Sequence, residues 1–316
     1  MTTYSIIPER STLHGSFSSE FPPVLTIASG DRVQYRTLDA GWNIEQPQST
    51  RNNPPPIKFT PRDTTHDTGH ALCGPIAIIG AEPGMTLAIH LNEIRPARWG
   101  WNAGGGGWKS RVNDRLGVSQ SQSEMHLWEL DATRMVGRNN LGFEIDLHPF
   151  MGILGMPPAE PGLHSTIPPR ATGGNMDCKE LVAGSTVYLP IAVTGGLFSL
   201  GDGHAAQGDG EVSTTAIECP MDLVDVTFEL LPDLHIALPR ANTPAGWVTL
   251  AFDTDLHEAS MVALEGMLDL MQEIYTITRE DALALASVVV DIHVTQVVNG
   301  DMLGAHAVLP HTALRR

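Results

Sequence analysis

The sequence predicts a mainly β fold, with a β-sandwich body of jelly-roll type and an α+β elaboration in which a C-terminal helix pair packs on a sheet. Three observations predict it. Among 316 residues, 31 glycines and 23 prolines separate short apolar runs, the pattern of strands joined by turns. Several runs alternate apolar and polar residues, as strands with one buried face do. Helical periodicity is concentrated near the C-terminus.

Seven segments of the body predict strands. They are residues 24–28, 31–37, 76–79, 86–94, 186–193, 234–238 and 247–252. Residues 50–61 contain Asn-Asn-Pro-Pro-Pro, which cannot donate to a sheet ladder, so this segment predicts an exposed connection. In GAEPG, Pro83 and Gly84 fit the central positions of a type II turn, which makes Glu82 a hairpin residue.

Residues 257–274 predict an amphipathic helix, because Met261, Leu264, Met267, Leu268, Met271 and Ile274 recur near one face at 3.6-residue spacing. A second helix begins after Thr278, whose hydroxyl can cap it with Asp281 three residues later. It leads into an alternating strand at residues 288–298. We treat 1–316 as one unit, with a finer division into a body at 1–220 and an α+β segment at 221–316.

Composition limits the partners and the compartment. The formal net charge of −17 disfavours nucleic acid and anionic membranes. Three cysteines without CxxC spacing argue against a disulfide framework and indicate a reducing compartment. No window approaches the roughly 18 apolar residues of a membrane span. We therefore expect a cytoplasmic protein with no membrane partner.

The densest polar stretch is GDGHAAQGDGE at residues 201–211. We expect a loop, because its four glycines let the backbone turn until Asp202, His204, Asp209 and Glu211 converge. Carboxylates with an imidazole are ordinary Zn²⁺ ligands. The alternative is a solvated turn stabilised by Asx hydrogen bonds.

A second Gly-rich segment, GGNMDC at residues 173–178, presents an amide, a carboxylate and a thiol. Asp177 is interpreted as a ligand or an orienting base. Cys178 would be a nucleophile only beside a base, and no local signature supplies one. His148 precedes Pro149, which restricts the backbone and the direction of the imidazole. P-loop, GxGxxG, HExxH and GxSxG motifs are missing, which disfavours nucleotide cofactors and two common hydrolase classes.

Three segments resemble the acetamidase/formamidase family: HPFMGILGMPP, STIPPRATGGNMDCKELVAGSTVYLP and FSLGDGHAAQGDGE. With two flanking segments, the likeness covers roughly residues 65–300. It implies a β-sandwich-containing hydrolase of small carboxamides, a bound divalent cation and a homo-oligomer. The family's polar positions fall on His70, His148, Asn175, Asp177, Asp202, His204, Asp209 and Glu211. Cys73, Met85 and the glycine-rich insert at 99–108 depart from the family pattern, which leaves the substrate open.

The leading hypothesis is metal-dependent cleavage of the C–N bond of a small linear carboxamide, of formamide or acetamide type, to ammonia and a carboxylate. The expected ion is zinc, and calcium is a candidate for a second site. Metal ligands are His70, Asp202 and His204, with Asp177 as an alternative to His70. Glu211 moves the proton and His148 stabilises the oxyanion, while Asn175 and Gln207 bind substrate and Asp177 completes the catalytic set.

Two rivals stay open from the residues alone. One is a thiol amidase that uses Cys178 with Lys58 or Lys109. The other is a non-catalytic β-sandwich that binds a small polar ligand.

Overall fold

The computed structural model describes residues 1–48, 54–106 and 110–315, and within them it contains twenty strands and three helices. The strands are β1 (Thr3–Ile6), β2 (Leu13–His14), β3 (Leu25–Ile27), β4 (Arg32–Tyr35), β5 (Leu72–Ile78), β6 (Thr86–Pro96), β7 (Trp99–Gly104), β8 (Glu124–Asp131), β9 (Val136–Asn139), β10 (Glu144–Asp146), β11 (Phe150–Gly155), β12 (Pro169–Arg170), β13 (Gly173–Asn175), β14 (Thr186–Pro190), β15 (Phe198–His204), β16 (Met221–Leu231), β17 (Arg240–Asn242), β18 (Trp247–Asp253), β19 (Asp291–Gln296) and β20 (Leu303–Leu309). The helices are α1 (Arg111–Arg115), α2 (Leu256–Tyr275) and α3 (Arg279–Val289).

The strands form three sheets. Nine of them make the largest sheet, in the order β1-β4-β16-β6-β14-β17-β18-β20-β19. A seven-stranded sheet has the order β12-β13-β11-β15-β5-β2, with β3 paired to β5, and a four-stranded sheet has the order β10-β9-β8-β7. The nine-stranded sheet joins strands from both sides of residue 220.

The main core lies between the two large sheets. Alternation along β6 buries Leu87, Ile89 and Leu91, while Phe198 and Phe228 meet edge to face from the two sheets with ring centroids 5.1 Å apart. This two-layer packing confirms the predicted mainly β body.

The C-terminal helix pair is also confirmed. The Asp255 carboxylate accepts from the His257 N–H at the start of α2, and the Thr278 hydroxyl accepts from the Asp281 N–H at the start of α3. The two helices pack beside β18 and β20 around a second core that contains Met267. The buried helix face differs partly from the predicted one: it is lined by alanines as well as methionines, and Ile274 is 41% exposed.

Six of the seven predicted body strands overlap observed ones, but residues 234–238 do not form a strand. That segment is held by side chains instead: Thr86 Oγ1 donates to the Leu234 carbonyl, and the His235 imidazole bonds to the Gly84 carbonyl. The Pro83-Gly84 turn is confirmed, with φ of 91° at Gly84 and a hydrogen bond from Met85 N to Glu82 O. Residues 50–53 of the predicted connection lie outside the described residues.

The predicted strand at 288–298 is shorter than expected, because α3 continues to Val289. Its side-chain faces also differ, since Ile292 and Val294 are exposed on edge strand β19, whereas Thr295 is buried. None of the described helices is long and apolar enough to cross a membrane.

Candidate metal centre

Five buried polar side chains meet beside the seven-stranded sheet. Each is between 1% and 7% exposed, and they are Asp177, Asp202, His204, Glu211 and Glu218. Asp202 and His204 lie on β15, so part of the segment predicted as a loop is a buried strand. The structure therefore excludes the solvated-turn alternative for these residues.

His204 is the centre of the cluster. Its Nε2 lies 3.4 Å from Asp202 Oδ1 and 3.5 Å from Glu218 Oε2, and its Nδ1 lies 3.8 Å from Asp177 Oδ1. Two potential ligand triads share it, one with Asp177 and Glu211 and one with Asp202 and Glu218, each with ligand atoms within 4.8 Å of one another. The imidazole thus joins two acidic groups into a single centre.

The backbone around the cluster is specialised. Asp177, Asp202 and Glu211 have φ of 48°, 59° and 44°, a left-handed conformation uncommon for residues other than glycine. Gly152 on β11 makes room for the side chains: a Cβ added there would lie 2.5 Å from Asp177 Oδ1, 2.7 Å from Asp202 Oδ2 and 2.8 Å from His204 Cε1. A side chain at position 152 is therefore incompatible with this arrangement.

Two amides position the cluster. Gln207 accepts a hydrogen bond from His204 Nδ1 at 3.0 Å and donates to the Asp177 carbonyl at 2.7 Å. Asn299 Nδ2 donates to Asp177 Oδ2 and to the Asn175 carbonyl. Both amide atoms of Gln207 are therefore engaged beside His204 and Asp177, and its predicted substrate-binding role stays a prediction.

Several buried oxygens of the cluster lack a hydrogen-bond donor. They are Asn175 Oδ1, Asp177 Oδ1, Glu211 Oε2 and Glu218 Oε2. Buried oxygens without a donor are costly unless a proton or a cation compensates them. A set of carboxylate oxygens with one imidazole nitrogen matches the donors that divalent ions such as Zn²⁺ and Ca²⁺ take. The residues present therefore fit a divalent cation.

The electrostatics agree with an excess of buried negative charge. Burial raises the pKa of Asp177 to about 6 and that of Glu218 to about 7. Burial, reinforced by the Asp177 carboxylate, raises the pKa of Glu211 well above its usual range. Burial opposes the charged imidazole of His204, but Glu218 and Asp202 outweigh it and raise the pKa of His204.

A cavity of about 610 Å³ opens onto the cluster. Its polar wall includes Asn175, Asp202, Glu211, Glu218 and Asn299, and its apolar wall includes Trp101, Ile167, Val297, Val298 and Leu303. His70 also lines it, and Thr166 Oγ1 engages both the backbone N–H and the Nδ1 of His70. A small molecule in this cavity would contact the metal-fitting carboxylates directly.

The remaining predicted residues lie apart from the cluster. His148 is exposed and does not line the cavity, because Pro149 leads into buried β11 while His148 stays at the surface before it. Its predicted oxyanion role therefore has no geometric support. Asp209 pairs with Lys179 and His293 instead of joining His204.

Sequence reasoning missed Glu218 and Asn299. The signal for Glu218 was present, since it is the one charged residue of the apolar run from Thr215 to Met221. Asn299 carries no comparable signal, because it follows β19 more than 120 residues after Asp177.

The thiol alternative loses its basis. Cys178 is fully buried and does not line the cavity, and burial raises the pKa of its thiol far above the usual range. Lys58 is exposed, and Lys109 lies outside the described residues. All three cysteines are free and buried.

The fold is a β-sandwich, and its cavity opens onto a buried centre of carboxylates and one imidazole. Comparison with known proteins identifies the family. The family model for acetamidase/formamidase matches residues 3–165 and 159–314. The chain belongs to the acetamidase/formamidase family.

Individual relatives are distant. A formamidase of Methylophilus methylotrophus is 23% identical over 279 residues, which cover 70% of this chain and 64% of that protein. The crystal structure of an acetamidase from Bacillus halodurans has a TM-score of 0.83 at 24% identity, covering 97% of both chains. One from Yersinia enterocolitica has a TM-score of 0.84 at 24% identity, covering 99% of this chain and 93% of that one. The matched part spans between 51% and 64% of the curated relatives' length.

Proposed function

We propose that the chain is a metal-dependent amidase that converts a small linear carboxamide and water into ammonia and a carboxylate. The observation that carries this proposal is the convergence of Asp177, Asp202, Glu211 and Glu218 on His204, with orphaned oxygens beside a cavity. Membership of the acetamidase/formamidase family supports the substrate class.

The proposed metal ligands are His204 with Asp177, Asp202 and Glu218, and His70 at the cavity wall is a further candidate. Gln207 supports this assignment, since it accepts the Nδ1 proton, so that Nε2 is the nitrogen that would bind the ion after giving up its own proton. A divalent ion bound there would polarise the amide carbonyl and lower the pKa of a coordinated water.

The protein's own groups handle binding and protons. Asn175 Nδ2 is committed to the Ile167 carbonyl, which leaves Oδ1 as a free acceptor for the substrate NH₂ group. This favours Asn175 as the residue that holds the carboxamide. Glu211 Oε2 is buried, unpartnered and at the cavity, which supports Glu211 as the proton carrier. A cation bound beside it would lower its raised pKa, and the ionised carboxylate could then take a proton from the attacking water and deliver it to the leaving nitrogen.

Ammonia release from an amide series tests the proposal. Purified, chelated and zinc-restored protein is assayed with formamide, acetamide, propionamide and benzamide, and metal content is measured in parallel. Activity that disappears on chelation and returns with zinc supports it, whereas metal-independent release contradicts it. No turnover of any amide by the zinc-loaded protein would favour the small-ligand-binding alternative.

We also propose a homo-oligomeric, cytoplasmic protein with zinc as its metal. Light scattering after gel filtration tests the oligomeric state, and cell fractionation tests the location. Elemental analysis of protein purified without added metal tests the identity of the ion. A monomer, a membrane-associated or secreted protein, or a stoichiometric content of another metal would contradict the respective part.

A further inference from the structure

A second cluster of potential ligands lies outside the cavity that the proposed reaction uses. It consists of Asp209, two residues before Glu211, and His293 and His306, which face each other across β19 and β20. The two imidazoles stack with centroids 4.8 Å apart and an interplanar angle of 7°. His293 Nδ1 lies 3.0 Å from Asp209 Oδ2.

His306 contributes to this cluster a buried nitrogen that has no hydrogen-bond partner. The residue is fully buried; its Nδ1 bonds to Thr295 Oγ1 at 2.7 Å, and its Nε2 has no hydrogen-bond partner. Burial lowers the pKa of His306 to about 4, so the ring is neutral at neutral pH. When the Thr295 hydroxyl accepts the Nδ1 proton, Nε2 carries the lone pair.

We propose that Asp209, His293 and His306 form a second divalent-metal site of the Zn²⁺ class, distinct from the centre around His204. One atom from each side chain lies within 4.8 Å of the others. Two imidazoles and one carboxylate are a known zinc donor set, and Thr295 supplies the outer hydrogen bond that metal-bound histidines usually have. His293 and Asp209 are partly exposed, with 33% and 25% of their side chains accessible, which gives an entry path.

Lys179 is the competing cation. Its Nζ lies 2.9 Å from Asp209 Oδ2, so metal binding must displace the ammonium group or share the carboxylate with it. Removing this charge should strengthen metal binding by about tenfold, as expected for losing a like charge at this distance near the protein surface. If Asp209 only formed a surface ion pair with Lys179, removing the lysine charge would not strengthen zinc binding.

The site would fasten the segment that carries Glu211. Gly210 N donates to the Thr295 carbonyl at 3.0 Å, and Val297 N donates to the Gly210 carbonyl at 3.1 Å, so this segment already pairs with β19. A metal that bridges Asp209 to His293 and His306 would add a second link between them. Zinc should therefore raise the melting temperature through this site.

The test measures zinc stoichiometry and affinity by titration calorimetry on chelated full-length protein, with thermal melting as a second readout. The main variant is His293→Ala, since His293 is at the surface and its loss leaves the core intact. The matched control is His90→Ala. His90 is equally exposed, at 35%, and its Nε2 lies 3.1 Å from a carboxylate oxygen of Glu229, whereas no second histidine belongs to its described contacts.

We expect His293→Ala to bind one zinc ion fewer per chain than the wild type, His90→Ala to match the wild type, and Lys179→Met to bind zinc more tightly at this site. Asp202→Asn separates the two sites, because it weakens only the centre around His204. Unchanged stoichiometry in His293→Ala overturns the proposal, as does an equal loss in His90→Ala. Failure of the proposed catalytic centre appears differently: the wild type then binds a single zinc ion that depends on His293.

Discussion

The buried carboxylate of Asp225 and the buried carboxylates around His204 have opposite surroundings. Asp225, on β16 in the large sheet, is fully buried, and both of its carboxylate oxygens accept hydrogen bonds from side chains. Arg32 forms a bidentate ion pair with it, while Gln34 and Asn92 donate to its two oxygens. Burial acts to raise the pKa of Asp225, but these donors outweigh it and keep that pKa below the usual range.

The carboxylates around His204 are also buried, but donors do not match all of their oxygens. Glu211 and Glu218 each keep one oxygen unpaired, and burial raises the pKa of both. The difference shows that burial alone does not identify a functional acid. A carboxylate with donors on both oxygens, such as Asp225, stabilises the sheet. A buried carboxylate oxygen without a donor is destabilising unless a cation or a proton compensates its charge.

Glu211→Gln is expected to have the largest effect. It removes the proposed proton carrier while leaving His204 and the other carboxylates in place, so ammonia release should fall by about 10²- to 10⁴-fold with bound metal retained. Ammonia assays and elemental analysis of the same sample measure both. Glu82→Gln, in the distant turn, is the control and should be unchanged. Activity within tenfold of the wild type would remove Glu211 from the mechanism.

Gly152→Ala should disable the centre by steric conflict. The new Cβ would lie within 2.8 Å of atoms of Asp177, Asp202 and His204, so all three must move. We expect weaker metal binding, a large loss of activity, and a decrease of about 1–3 kcal/mol in the free energy of unfolding. Gly208→Ala is the matched control, because no atom lies within 4 Å of its Cβ. Equal behaviour of the two variants would contradict the described geometry.

Neutralising one carboxylate of each group should change stability in opposite directions. In chelated protein, Glu218→Gln replaces a carboxylate oxygen that has no hydrogen-bond partner with an amide that can donate, so the unfolding free energy should rise by about 1 kcal/mol. Asp225→Asn removes the negative charge and one of the two oxygens that accept from Arg32, and it should lower the unfolding free energy by about 1–3 kcal/mol. Urea unfolding measures both. Changes of the same sign in the unfolding free energy would contradict the proposed difference between Asp225 and Glu218.

The same reasoning applied to imidazoles predicts a pH effect on stability. Burial lowers the pKa of His14 to about 4 from 6.5, despite its bond to the Ser16 carbonyl. The unfolded chain therefore binds the proton more readily, and stability falls as pH drops from about 6.5 to 4, by about 1.4 kcal/mol per pH unit for one full proton. His14→Gln should reduce this slope by up to one proton in urea titrations between pH 7.5 and 4.5. A slope in His14→Gln equal to that of the wild type would contradict this prediction.

Which parts of the site can be predicted depends on whether the residues lie close together in the sequence. Asp202, His204 and Glu211 belong to one short segment, and Asn175 and Asp177 to another, so their clustering in the sequence indicated chemistry. The sequence could not show that Gly152 leaves space beneath them or that Glu218 joins His204 from another segment. Both depend on how β11 and β15 pair and on what crosses them, and no local pattern encodes that.

By itself the sequence determined the mainly β character, the two capped C-terminal helices and the polar segments that supply the centre. These follow from local preferences: turn residues, side-chain periodicity and helix caps. Only the tertiary structure decided which polar groups are satisfied and which are orphaned. It placed His148 at the surface, turned Gln207 toward His204, separated Asp209 from the centre, and paired Asp225 with its donors. Whether a buried polar group has a hydrogen-bond partner depends on distances between segments far apart in the chain, and folding alone sets those distances.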